Sequence, residues 1–189
     1  DGATAALTNN QYVFANVSAG HTANVTFKGI TYTVTATAGP NGAITCSPNP
    51  VNHGGSATCT VNPATGYTVD TFTADGTTAA LTNNQYIFAN VTAAHTAYVT
   101  FKALTYAISA TAGSNGTIAC SPNPVNHGGS ATCTVTPATG YSVDAFTVDG
   151  ATAALTSSRY VFANVTEDHT AKVTFKALTY TVTATAGPN

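Results

Sequence analysis

The stretch YTVTATA at residues 32–38 alternates an apolar side chain with a threonine at every step. A period of two places the apolar side chains on one face and the threonines on the other, which is typical of a half-buried β-strand. Prolines, glycines and β-branched residues interrupt every long stretch that would suit a helix. The sequence therefore predicts an all-β chain.

The chain is built from a sequence repeat with a period of 74 residues. Residues 31–104 and residues 105–178 are identical at 56 of these 74 positions. Residues 1–30 match the end of this unit, and residues 179–189 match its beginning. We therefore predict two full repeats, 31–104 and 105–178, between two incomplete ones, and we interpret the chain as a mature protein or as a piece of a longer array.

Short predicted strands follow one another within each repeat. In the first repeat they cover residues 32–38, 44–46, 57–61, 66–74, 86–91 and 97–102. Turn sequences separate them, such as Gly-Pro-Asn-Gly at 39–42 and Asp-Gly at 75–76. About six short strands per repeat indicate tandem small β-sandwiches or partly closed, barrel-like sheets.

The four cysteines use one spacing twice, at positions 46 and 59 and again at 120 and 133. An even number of widely spaced cysteines in a charge-poor chain favours disulfides formed in an oxidising compartment. Cys46 and Cys59 each lie on the apolar face of a predicted strand, so their sulfurs meet if the two strands pair. We predict cross-strand disulfides Cys46–Cys59 and Cys120–Cys133, and a secreted, extracellular or cell-surface location.

Charge excludes several classes of partner. Charged residues make up only 6% of the sequence, and the formal net charge is −2. Nucleic acids and anionic membranes are bound by clustered Lys and Arg, which this chain lacks. The apolar runs are also far shorter than the ~20 residues that cross a bilayer, so we expect no membrane span.

The recurring histidines and aspartates are candidates for a metal or catalytic site, but their pattern favours turns and caps. The histidines are His21, His53, His95, His127 and His169, and the recurring aspartates are Asp70, Asp75, Asp144 and Asp149. No second ligand type stands close to the histidines, and the aspartates lack the density of a calcium loop. A nucleophile elbow, Gly-x-Ser-x-Gly, is absent from the sequence. We expect no metal, no cofactor and no catalytic residue.

Aromatic residues allow either a sugar-stacking platform or core packing. They recur at Tyr12, Tyr86 and Tyr160 and at Phe14, Phe88 and Phe162. Core packing is favoured, because a repeat without Trp or Met has to build its interior from Tyr, Phe and aliphatic side chains. The lysines at 28, 102 and 176 fall on the threonine face, which disfavours isopeptide crosslinks. Asn-x-Ser/Thr triplets at 16, 24, 90, 115 and 164 leave glycosylation open.

Five motifs carry a resemblance to a known family: YTVTATAGPNG at 32–42, GGS at 54–56, PATGY at 63–67, DG at 75–76 and FANVTAAHT at 88–96. With them the chain resembles the divergent internalin-B-type B-repeat family over essentially its whole length. The resemblance implies a tandem repeat of a large secreted or cell-wall protein, serving as a spacer or adhesive stalk, with no general catalytic residues. The cysteine pair is a departure from the family pattern.

We therefore expect a non-enzymatic structural segment of an extracellular bacterial filament or surface adhesin stalk. Its partners would be neighbouring repeats or further copies of the chain, joined through open sheet edges. Two alternatives remain. A glycan- or host-protein-binding module would expose an aromatic or Asn-rich site on each repeat, and accessory repeats of a secreted enzyme would leave the chemistry to other domains.

Overall fold

The computed structural model describes residues 1–187, and in this range it contains eighteen β-strands and no helix. The predicted all-β tandem fold is confirmed. No segment of the described chain therefore has the helical length and hydropathy needed to cross a membrane. We call residues 31–104 unit 1 and residues 105–178 unit 2.

Unit 1 has six strands of four to nine residues and three of two residues. In chain order they are β1 (Thr31–Tyr32), β2 (Val34–Ala38), β3 (Gly42–Ser47), β4 (Val51–Asn52), β5 (Ala57–Pro63), β6 (Tyr67–Ala74), β7 (Thr77–Thr78), β8 (Gln85–Phe88) and β9 (His95–Ala103). Unit 2 repeats them as β10 (Thr105–Tyr106), β11 (Ile108–Ala112), β12 (Gly116–Ser121), β13 (Val125–Asn126), β14 (Gly129–Pro137), β15 (Tyr141–Val148), β16 (Ala151–Thr152), β17 (Arg159–Val165) and β18 (His169–Ala177). The six longer strands of unit 1 lie where the alternating patterns predict them.

Two sheets form each unit. In unit 1 a four-stranded sheet has the order β2-β9-β6-β7, and a three-stranded sheet has the order β3-β5-β8. Strand β2 runs parallel to β9, whereas β6 pairs with β9 in the antiparallel direction. The pair β1-β4 forms a separate two-stranded sheet. Unit 2 has the same three sheets in the same order.

The core of each unit lies between its two larger sheets. Val34, Phe72 and Val99 contribute from the four-stranded sheet, while Val61 and Phe88 contribute from the three-stranded sheet. All five are at most 5% exposed. Because alternate residues of a strand point to opposite faces, the threonines between them face outward. The two units have separate cores, so each is a small β-sandwich of its own.

The predicted first strand is divided in the structure. Residues 32–38 were expected to form one strand, but Thr33 lies between β1 and β2. The chain changes partner at this point, because Tyr32 pairs with Val51 and Val34 pairs with His95.

The Asp-Gly sequence at 75–76 forms the turn between β6 and β7. Asp75 has a φ of 50° and Gly76 a φ of 76°. Two successive positive φ values are typical of the type I′ turn, which joins adjacent antiparallel strands. This turn holds Asp75 at the end of the sheet, beside the start of β9.

The incomplete repeats have little regular structure. Residues 1–30 contain one isolated bridge, between Thr8 and Gln11, and residues 178–187 contain no strand. Their large apolar side chains are exposed, and those of Phe27 and Val182 are more than 90% exposed. The prediction that 179–189 begins a further repeat extends to residues 188–189, which lie outside the described part of the chain.

Candidate functional site

The disulfide of each unit joins an edge strand to the central strand of the three-stranded sheet. Cys46 of β3 lies directly opposite Cys59 of β5, with 3.9 Å between their Cα atoms. Cys59 is 0% exposed, whereas Cys46 is half-buried at the sheet edge. Unit 2 has the equivalent bond, Cys120–Cys133. The bond holds β3 against β5 at one end of the hairpin. The chain that connects the two cysteines is thereby closed into a covalent ring.

An asparagine in that loop fastens β2 to the rest of the unit. The Asn49 side chain accepts a hydrogen bond from the backbone N–H of Val34 at 3.0 Å and donates one to its carbonyl at 2.8 Å. Asn123 binds Ile108 in the same way in unit 2. A side-chain amide has both a donor and an acceptor, so it can replace a strand partner at this position. Sequence reasoning assigned no role to these asparagines.

Three of the histidines pair with aspartates that lie 20 positions earlier in the sequence. Nδ1 of His95 lies 2.7 Å from Oδ2 of Asp75, and the Thr96 backbone N–H donates to the other carboxylate oxygen at 2.8 Å. Partial burial would raise the pKa of Asp75, but the hydrogen bonds from Thr96 and His95 outweigh it, and the pKa lies below its usual value. The pair ties the β6–β7 turn to β9.

The same pair occurs in unit 2 between Asp149 and His169, again at 2.7 Å. The backbone N–H of Thr170, and then His169, lower the pKa of Asp149. The ring of His169 also packs on Phe162, with 5.0 Å between ring centroids. These histidines are therefore used in packing and in holding a turn, and sequence reasoning did not find their partners. The separation of 20 residues between aspartate and histidine recurs in each copy, and it was the sequence signal that could have identified these pairs.

The other two histidines bond to tyrosine. Nδ1 of His53 lies 3.3 Å from the Tyr32 hydroxyl, and His127 lies at the same distance from Tyr106. Within residues 1–187, no group of three or more His, Cys, Asp or Glu side chains is placed to hold a metal ion. Each histidine instead links the Asn-His-Gly-Gly loop to the start of its own unit.

The recurring aromatic residues of the full units lie in or beside the core. Tyr86 packs between Phe72 and Phe88, at centroid distances of 5.2 and 5.0 Å. Tyr160 has the equivalent position in unit 2. Their side chains face inward and do not form a flat exposed platform.

An exposed aromatic residue lies on the threonine face. Tyr98 of β9 is 44% exposed. In the sheet register it stands beside Thr37 of β2 and Thr73 of β6, and Thr73 stands beside Thr78 of β7. A tyrosine ring with hydroxyl groups on both sides presents an apolar surface bordered by hydrogen-bonding groups.

Lysines on the same face form exposed ion pairs. Lys102 Nζ lies 3.4 Å from Asp70, and Lys176 Nζ lies 3.6 Å from Asp144. The lysine side chains are 63% and 62% exposed. An isopeptide crosslink needs a desolvated amine, which these exposed side chains do not provide.

Comparison with known families gives two matches in tandem. Residues 32–104 and residues 106–186 each match the divergent InlB B-repeat domain. The chain belongs to this family. No curated protein and no solved structure matches the chain significantly. The two B-repeats keep the segment from Cys46 to Val61 unchanged, while the exposed position of Tyr98 carries Lys172 in the second repeat.

Proposed function

We propose that these B-repeats are a non-catalytic structural segment of an extracellular bacterial stalk or filament, holding other domains away from the surface that anchors them. The observation that supports this most directly is that unit 1 and unit 2 have separate cores and follow one another in series. Each added unit of this kind lengthens the chain by one folded domain. Disulfides that close each unit fit an oxidising environment outside the cell.

Self-association through sheet edges is the proposed route to a filament. Strand β3 pairs with β5 on one side, and within the described chain it has no strand on the other. The short Cα distance at Cys46–Cys59 marks a pair that exchanges no backbone hydrogen bonds. The backbone groups of Cys46 and of Ile44, two positions away, therefore point to the open edge, where a strand from a second copy would add.

Electron microscopy of the unreduced protein tests both parts of the proposal. A stalk predicts elongated particles with the two units end to end, and a filament predicts longer assemblies that increase with protein concentration. Compact particles with the units folded against each other would contradict the stalk. Particles that stay single at every concentration would contradict the filament alone.

An edge variant makes the filament test specific. Thr45→Lys places a charge on the open strand β3, where a lysine disfavours strand addition. Tyr98→Lys is the matched control, because it adds the same charge on the other sheet and unit 2 already carries Lys172 there. We expect Thr45→Lys to shorten the assemblies and Tyr98→Lys to leave them unchanged. Equal effects would show that net charge, and not the edge, controls assembly.

Glycan binding is the second candidate function, and Tyr98 is the observation that favours it. Its exposed ring lies among threonine hydroxyls on a sheet face. A glycan array probed with the wild-type protein and with Tyr98→Lys tests this directly. Binding that the substitution abolishes would support a sugar site on unit 1. No binding, or binding unaffected by the substitution, would remove Tyr98 from consideration.

A further inference from the structure

Equivalent residues of the two units differ in exposure at the junction between the units. Gly66 is buried, whereas the equivalent Gly140 is exposed. His127 is half-buried, whereas the equivalent His53 is exposed. The residue types and the local hydrogen bonds are the same in each pair, so the neighbouring unit causes the difference.

The ring of His127 in unit 2 lies directly on Gly66 of unit 1. A Cβ atom added to Gly66 would lie 2.6 Å from the Cδ2 atom of His127, closer than carbon atoms pack. A Cβ added to Gly140 would meet no atom of the described chain within 4 Å. The two glycines have nearly the same backbone conformation, with φ values of 81° and 85°. Gly66 is therefore in contact with unit 2, whereas Gly140 has a similar backbone conformation and no such contact in the described chain.

Leu104, the last residue of unit 1, connects the strands of the two units, and both of its backbone groups are bonded. Strand β9 ends at Ala103 and β10 begins at Thr105, so Leu104 alone lies between them. The Leu104 N–H donates to the carbonyl of Gly66 at 2.8 Å, and its carbonyl accepts from the N–H of His127 at 2.9 Å. One bond goes to unit 1 and the other to unit 2. A linker held on both sides has little freedom to rotate.

Each half of this arrangement recurs elsewhere in the chain. The Leu178 N–H donates to the carbonyl of Gly140 at 2.8 Å, as Leu104 does to Gly66. The His53 N–H donates to the carbonyl of Ile30 at 2.9 Å, as His127 does to Leu104. Both the surface that receives a histidine loop and the loop itself are thus present on each unit.

We propose that Gly66, Leu104 and His127 form an inter-repeat lock that holds adjacent repeats in one orientation, and that Gly140 with Leu178 receives the Asn-His-Gly-Gly loop of a further repeat. The lock gives the proposed stalk its stiffness, and in that respect it rests on the proposed function. The contacts that form it do not depend on where the protein acts. Adjacent domains joined by small interfaces generally move relative to each other, so a fixed orientation is a specific prediction.

Electron paramagnetic resonance distance measurement tests the lock in the full chain. Spin labels attached through non-canonical amino acids at Ala93 and Glu167, two exposed equivalent turn positions, avoid any exchange with the disulfides. The wild-type protein should give one narrow distance peak. Gly66→Ala should lose this narrow peak, whereas Gly140→Ala, which carries the same positive-φ strain, should keep it. Equal distributions for the two variants, or a broad wild-type distribution, would overturn the lock.

A second pair of variants avoids backbone strain altogether. His127→Ala removes the ring that lies on Gly66, and His53→Ala removes the equivalent ring, which is exposed. We expect the narrow peak to be lost only with His127→Ala, so the proposal remains testable even if Gly66→Ala does not fold. A broad wild-type peak in particles that are still elongated by microscopy would overturn the lock and leave the stalk intact.

The proposed acceptor on unit 2 needs a chain with one more repeat. In a chain extended after Leu178 by a second copy of residues 105–178, Gly140→Ala should broaden the distance between the second and third repeats. An unchanged distance distribution would overturn the acceptor.

Discussion

Reduction of the Cys46–Cys59 disulfide should lower the free energy of unfolding of unit 1 by about 3 kcal/mol. The bond links residues 13 positions apart, and closing a loop of this size removes about 3 kcal/mol of chain entropy from the unfolded state. A domain of 74 residues typically has a free energy of unfolding of roughly 4–11 kcal/mol. The disulfide therefore accounts for a large share of the stability. Reduction keeps every side chain in place, so no cavity forms at the buried Cys59.

The measurement is urea unfolding followed by circular dichroism, with and without a reductant. The double variant Cys120→Ala/Cys133→Ala isolates the contribution of unit 1, since only Cys46–Cys59 then responds to reduction. Reduction should lower the urea concentration at the midpoint. The slope of the free energy of unfolding against urea concentration should match the surface that one unit exposes on unfolding. A loss below about 1 kcal/mol would refute the reasoning, because it would mean that the unfolded loop is already compact without the bond.

Three further predictions concern the clamp, the turn and the response to force. Asn49→Ala should cost unit 1 about 2 kcal/mol in urea unfolding, because two part-buried hydrogen bonds to Val34 are lost; the exposed Asn62→Ala is the control, and equal losses would contradict the clamp. The lowered pKa of Asp75 and Asp149 stabilises the fold above the unfolded-state pKa, and this contribution is lost as pH falls through the lower folded-state pKa. The Tm of the wild type should thus fall more steeply below about pH 4 than that of Asp75→Asn/Asp149→Asn, and parallel pH profiles would argue against it. In single-molecule pulling, the gain in extension when a unit unfolds should be about 40 Å smaller for the oxidised unit than for the reduced unit, because the disulfide keeps the 13 residue steps between the cysteines from being extended. Equal gains for the two forms would contradict this prediction.

The sequence could predict the strands and the disulfides because both depend on local alternation. The six longer strands follow from apolar and polar side chains taking turns, and the position of Cys59 on an apolar face made its pairing with Cys46 geometrically reasonable. The break at Thr33 could not be found in this way, since the alternation continues through it. It arises from partners distant in the chain: Val51 pairs with β1, and Asn49 binds the first residue of β2.

Contacts between distant residues carry no periodic signal, and the remaining features are of this kind. The parallel pairing of β2 with β9 joins the two ends of the unit, and nothing in either strand identifies its neighbour. The contact between Gly66 and His127 depends on the position of the next unit.

The parallel pairing also determines how a unit bears tension. A pull on the chain enters unit 1 before β2 and leaves it after β9, and these two strands are direct neighbours that run in the same direction. Opposed forces at the start of one and the end of the other slide the strands along each other. All the backbone hydrogen bonds over the five paired residues, Val34–Ala38, are then loaded together. In an antiparallel pair pulled at one end, the same bonds would open one at a time. The disulfide lies in the other sheet, outside the loaded pair, so it limits extension only after β2 has separated from β9.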